Sequence, residues 1–82
     1  MSARRQEAAR AFGQVLRAAR QARGLSQEEL AELGEFDRTY PSLLERGLRT
    51  PTLTVLLEIA RALDMEPAQL VSDTAERLRG AP

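Results

Sequence analysis

Arg38, Thr39, Ser42 and Leu43 fall at the leading end of a short segment that opens at Asp37 and closes at Gly47. With Asp37 as the N-cap of a helix over residues 37–46, these four side chains project from its first turns while Leu44 turns back toward the interior. Their chemistry suits the edges of nucleobases. An arginine can fork onto the O6 and N7 acceptors of guanine, a contact worth about 1 to 3 kcal/mol of discrimination, and a leucine side chain or a threonine methyl can pack on the methyl group of thymine. The competing readings are a phosphate contact or a solvated side chain for Arg38, and packing against the preceding turn for Leu43.

A second set of residues could hold a phosphate backbone. Gln27 stands in the first turn of another helix, where free N–H groups and the helix dipole favour an anion. Arg46, just past the segment, and Arg49 and Thr50 beyond it could clamp the same strand, with the Tyr40 hydroxyl within reach. A lone arginine is often only solvated, but several on one edge form a cluster. No catalytic set accompanies them. The chain has no histidine and no cysteine, which excludes zinc sites, disulfides and histidine acid–base chemistry. Its scattered carboxylates lack a nucleophile, base and orienting group, so neither an enzyme nor a metal or other cofactor is expected.

These residues need elements to position them, and residues 24–47 supply them. Gly24 suits the left-handed end of a preceding helix, and Ser26 with Glu29 makes a capping box for the next one, whose apolar side is Leu30, Ala31 and Leu33. The helical pattern breaks around Gly34 and Glu35, Phe36 returns to the core, and Asp37 starts the third helix. Two helices of roughly eight residues joined by a turn of about four match a helix-turn-helix. The plainer alternative is a helical hairpin that only packs.

Around this unit, residues 3–23 form an arginine- and alanine-rich helical pattern with Phe12, Leu16 and Ala19 on one face, starting in earnest between Glu7 and Ala11, and Gly13 is its weak point. Thr52 caps a strongly apolar fourth helix carrying Leu53, Leu56, Leu57, Ala60 and Leu63. Pro67 opens a short fifth helix through Leu70 and Val71. Asp73 and Glu76 make another capping-box signature, so residues 74–79 are expected as an additional short C-terminal helix before Gly80.

Residues 12–70 resemble the lambda-repressor and Cro-like family, the xenobiotic-response-element type of small bacterial and phage regulators. The resemblance is carried by Gly24-Leu25-Ser26-Gln27-Glu28-Glu29-Leu30-Ala31, by Asp37-Arg38-Thr39-Tyr40 with Ser42, by Glu45-Arg46-Gly47, by Pro51-Thr52-Leu53 with Leu56-Leu57, and by Ile59-Ala60-Arg61-Ala62-Leu63. It implies an all-α fold, a compact bundle of five helices whose third enters the major groove, and a cytoplasmic transcription regulator or repressor that binds double-stranded DNA as a homodimer on a pseudo-palindromic operator. It places the base-reading positions on Arg38, Thr39, Ser42 and Leu43 and matches Gln27 to the family's phosphate-binding glutamine. It also pairs Arg20 with Glu45 as a structural ion pair. Pro41 departs from the usual aliphatic residue: as a fourth helical residue it would remove the first intrahelical bond and loosen the front of the third helix. Asp64 stands where glycine is common.

Eighty-two residues make one domain, expected as an arginine-rich arm or helix extension over residues 1–8, a helix-turn-helix domain over 9–71 and a tail over 72–82. No stretch is apolar and long enough for a membrane span or a signal peptide. Twelve basic residues, all arginine, balance 12 acidic ones. Their distribution is uneven. Residues 1–24 hold six arginines against Glu7 alone, while residues 25–37 hold five acids and no base. DNA attraction follows local potential, so a neutral total allows binding but implies modest non-specific affinity. Leu57, Met65, Leu70 and Val71 are the candidates for a dimer surface, each with core burial as its alternative. A different class of function keeps the fold but uses the acidic second helix or the tail as a protein-interaction module or antitoxin that binds a protein partner.

Overall fold

The computed structural model describes residues 3–80, and their chain folds into five helices: α1 (Ala3–Ala22), α2 (Gln27–Gly34), α3 (Tyr40–Glu45), α4 (Leu53–Ala62) and α5 (Pro67–Gly80). Every helix contributes to one core. Phe12, Val15 and Leu16 come from α1, Leu30 from α2, Leu44 from α3, Ile59 and Ala60 from α4 with Leu63 just beyond it, and Leu70 from α5. With lengths of eight and six residues, α2 and α3 are too short to persist alone and depend on this packing.

Four of the five helices end in the same way. At Gly24, Glu35, Gly47 and Asp64 the backbone turns left-handed, with φ of 68°, 58°, 73° and 55°. In each case the following amide closes a wide ring onto the helix, as Leu25 N–H does to the Arg20 carbonyl at 3.1 Å and Phe36 N–H to Ala31 at 2.8 Å. This is the Schellman arrangement, and it satisfies carbonyls that would otherwise lack donors. Glycine accepts it freely, whereas Glu35 and Asp64 adopt it against the clash of their Cβ atoms.

The structure corrects several expectations. Helix α3 starts at Tyr40, not Asp37, so the helix is shorter than residues 37–46, and Pro41 sits in its first turn. The Asp37 carboxylate instead closes a turn, accepting from the Thr39 amide at 2.9 Å and hydroxyl at 2.5 Å. Proline itself explains the shift: its missing N–H would break a helix begun at Asp37 but takes nothing from one begun at Tyr40. Pro41 is fully buried, so it fills the core side of α3 without loosening it. Gly13 is likewise no weak point. It is buried in a continuous α1, and a Cβ there would lie 2.5 Å from the carbonyl oxygens of Leu44 and Glu45, so its bareness lets the α1 backbone cross directly over the end of α3.

The expected extra C-terminal helix is the second half of α5, unbroken at Asp73, which accepts from Gln69 one turn earlier at 2.7 Å. No glycine or proline separates Leu70 from Thr74, and without a breaker a capping signature stays inside the helix. Finally, the buried face of α4 runs through Ile59, Ala60 and Leu63, while Leu53 is 73% exposed. Residues 3–8 are the first turns of α1; residues 1–2 of the expected arm and 81–82 of the tail lie outside the described residues. Helix α5 lies antiparallel on α1: Arg77 donates to Gln14 at 3.0 Å, and Arg23 donates to the Asp64 carbonyl at 2.9 Å at the other end. Among the described residues no helix is long and apolar enough to cross a membrane.

Two substitutions at helix positions should move stability in opposite directions. Gly13→Ala, which in an unobstructed helix gains about 1 kcal/mol, should here lower the thermal midpoint, because the added carbon overpacks backbone and such insertions cost about 1 to 3 kcal/mol. Glu35→Gly should raise the midpoint by relieving a left-handed residue strained by about 1 kcal/mol. Thermal unfolding of both variants checks the pair.

Candidate nucleic-acid interface

Helix α3 is divided along its length. Pro41 and Leu44 are buried, Tyr40, Ser42 and Leu43 are half-buried, and Arg38 and Thr39 stand exposed in the turn that leads into it. Tyr40 leans on the core and stacks obliquely on Phe36, with ring centroids 5.6 Å apart and planes at 57°. The exposed front of α3 therefore carries Arg38 and Thr39, with Ser42 and Leu43 following one turn behind.

One carboxylate holds this front in place. Glu45, at the end of α3, accepts from Arg20 Nε at 2.6 Å and Nη2 at 3.0 Å, and from Gln27 Nε2 at 3.1 Å. Arg20 spends its remaining nitrogen on the Leu25 carbonyl at 2.7 Å. The two side chains are 11% and 4% exposed, and the hydrogen bonds to Glu45 push the arginine above its ordinary value against the opposing effect of burial. Glu45 thus ties α1, α2 and α3 together where they meet, and it fixes the orientation of Gln27, the first residue of α2.

Local hydrogen bonds shape the rest. Ser26 and Glu29 form a complete capping box, the Ser26 hydroxyl accepting from the Glu29 amide at 3.0 Å and the Glu29 carboxylate from the Ser26 amide at 2.8 Å. That hydrogen bond from the Ser26 backbone holds the Glu29 carboxyl below the usual range. The Thr39 hydroxyl does the same for Asp37. For both, the contribution is complete at neutral pH and is lost as pH falls through the lowered folded value. Arg38 is paired through Nη2 with the Oε1 atom of Glu28 on α2. Arg46 folds back on its own helix, its Nε 3.4 Å from the Ser42 carbonyl. Arg49 and Thr50 are exposed in the loop before α4.

The family model for Helix-turn-helix matches residues 16–70, more than half of the chain. The chain belongs to the lambda-repressor and Cro-like helix-turn-helix family of transcriptional regulators. It is 44% identical over 57 residues to an uncharacterised HTH-type transcriptional regulator, y4dJ, of Sinorhizobium fredii, covering 70% of this chain and 74% of that protein. It is 39% identical over 64 residues to the control protein C.BamHI of Bacillus amyloliquefaciens, covering 77% and 79%. Among solved structures, the restriction-modification controller protein C.AhdI of Aeromonas hydrophila superposes with a TM-score of 0.74 at 50% identity, covering 76% of this chain and 94% of that one. The relatives are regulators rather than enzymes.

In helix-turn-helix terms, α2 is the supporting helix and α3 the second helix of the unit. The structure brings Arg20, Gln27 and Glu45 into one network, and Arg38 and Thr39 onto one exposed edge. Tyr40, Ser42 and Leu43 are only partly accessible there. Sequence reasoning missed Glu28 as the partner of Arg38, because ten residues and a turn separate them and no helical periodicity connects the two.

Removal of the central carboxylate should disturb more than one contact. Glu45→Ala leaves Arg20 charged, nearly buried and without its carboxylate partner, a change that typically costs about 3 to 5 kcal/mol. Denaturant unfolding should show a large loss for this variant, and a loss below about 1 kcal/mol would refute the structural weight given to the pair.

Proposed function

We propose that this regulator binds double-stranded DNA in a sequence-specific manner as a homodimer, with α3 lying in the major groove at each half of a pseudo-palindromic operator. The reading rests chiefly on the division of α3, whose buried side is locked to the core while Arg38 and Thr39 stand free of it at its leading edge. Arg38 then forks onto a guanine, with Thr39, Ser42 and Leu43 completing the base-facing edge. Gln27, Tyr40, Arg46, Arg49 and Thr50 hold phosphates on either side. Gln27 is suited to this because Glu45 already fixes its amide, so no rotamer freedom is lost on binding.

Two half-sites on one face of the duplex lie about one helical turn, roughly 34 Å, apart, which requires two copies of the chain. Leu57 and Val71, 46% and 54% exposed, are apolar surface available to such a dimer. Leu70 is fully buried and Met65 packs on the core, so neither offers free surface of that kind. Similarity to a restriction-modification controller over nearly that protein's whole length supports regulation of the same kind. A protein acting on the bacterial chromosome or its phages works in the cytoplasm. Use of the acidic α2 to recruit a protein partner is less favoured, because Glu28 and Glu29 are already engaged by Arg38 and by the Ser26 amide.

Selection of bound duplexes from a random pool, run with the natural chain and with Arg38→Ala, tests the assignment. The variant should lose preference at one base pair per half-site, by about 1 to 3 kcal/mol. Arg49→Ala should instead weaken all sequences alike and reduce the salt dependence by about one phosphate contact. Uniform weakening by Arg38→Ala would overturn its base-reading role.

A further inference from the structure

We propose that Glu28 is a specificity-determining residue that restrains Arg38 from binding DNA indiscriminately; this rests on the base-reading role of Arg38 given above. Glu28 is the second residue of α2, and its carboxylate accepts from Nη2 of Arg38 across the turn between the two helices. Both side chains are well exposed, 68% for Glu28 and 76% for Arg38. An exposed pair of this kind contributes little to stability. Its position matters more than its strength, because it lies where the leading end of α3 meets the first turn of α2.

The geometry gives the pair a consequence for readout. A guanidinium has five N–H groups in one plane, and Glu28 takes a hydrogen bond from a single terminal nitrogen. The opposite edge remains free to fork onto the O6 and N7 of guanine, so over guanine Arg38 can serve the carboxylate and the base together. Adenine presents an amino group in place of O6 and offers no such pair of acceptors. There Arg38 stays on Glu28, and the carboxylate near the groove is left opposed to an acceptor-rich, negatively charged surface. Asp37, the other carboxylate beside Arg38 in the chain, turns its Oδ1 to both Thr39 donors, and Glu28 is the carboxylate that takes the hydrogen bond from Arg38. Glu28 therefore lowers affinity for wrong sequences more than for the right one.

Glu28→Gln keeps the size of the side chain and removes its charge. The full chain is compared as natural protein, Glu28→Gln, Arg38→Ala and the double variant, on a selected duplex and on the same duplex with the guanine read by Arg38 changed to adenine, over a range of salt. Glu28→Gln should keep its thermal midpoint, bind the altered duplex about 3- to 10-fold tighter, and lose the same factor in its preference for the selected one. Its salt dependence should steepen by about one released counterion, because Arg38 becomes free for phosphate. The double variant should discriminate no better and no worse than Arg38→Ala alone. If Arg38→Ala lowers the preference but Glu28→Gln leaves it unchanged or sharpens it, Glu28 has no such role while the base-reading role of Arg38 stands. If Arg38→Ala also leaves the preference unchanged, both assignments fall.

Discussion

The surface formed by α2 and α3 depends on where Glu45 can be satisfied. A carboxylate only 4% exposed must find donors, since removing an ion from water costs several kcal/mol unless paired and hydrogen-bonded. Glu45 finds three, two from Arg20 and one from Gln27. Arg20 belongs to α1 and Gln27 to α2, so a requirement local to one carboxylate becomes a constraint on three helices. Gly13 reinforces it: α1 can approach closely enough for Arg20 to reach Glu45 because nothing but backbone lies between α1 and the last residues of α3. Among the described residues no buried side-chain nitrogen or oxygen lacks a partner, so the network leaves no polar remainder.

The short helices at this surface are held from their ends as well as from their faces. Helix α2 opens with a capping box and closes at a left-handed Glu35, and α3 opens on the Asp37 turn and closes at Gly47. Each device satisfies backbone groups that a helix of one or two turns cannot satisfy internally. These same devices decide what is exposed. Because Pro41 moves the start of α3 forward, Arg38 and Thr39 lie in a turn rather than in the helix, and Asp37 is spent on positioning Thr39.

Much of this was legible in the chain because the signals were local or strongly periodic. The five helices follow from apolar spacing, and Ser26 with Glu29 announces the capping box within four residues. The Arg20–Glu45 pair became visible only through the family pattern, since the two residues are 25 apart. The misplaced features have identifiable causes. Asp37 has the chemistry of a cap, but the missing N–H of Pro41 moves the start of α3 on to Tyr40. Asp73 carries a cap's sequence without a breaker before it. Leu53 fits the helical stripe of α4, and only packing leaves it exposed while Val55 becomes half-buried. The Glu28–Arg38 contact is set by the angle between two helices, which no local pattern encodes.

The charge balance acquires a physical role in this arrangement. A protein with 12 positive and 12 negative side chains draws little benefit from long-range attraction to a polyanion. On the proposed reading, non-specific binding is weak, and the ratio between right and wrong sites comes from short-range contacts at α3. Acids placed on α2, next to those contacts, push in the same direction. Two of them are engaged within the protein, Glu29 hydrogen-bonded by the Ser26 amide and Glu28 paired with Arg38, and only the second contact can be exchanged for a nucleobase without breaking a helix cap. A strongly basic face would bind sooner and more tightly to any duplex, but it would give up the margin by which one sequence is preferred to another.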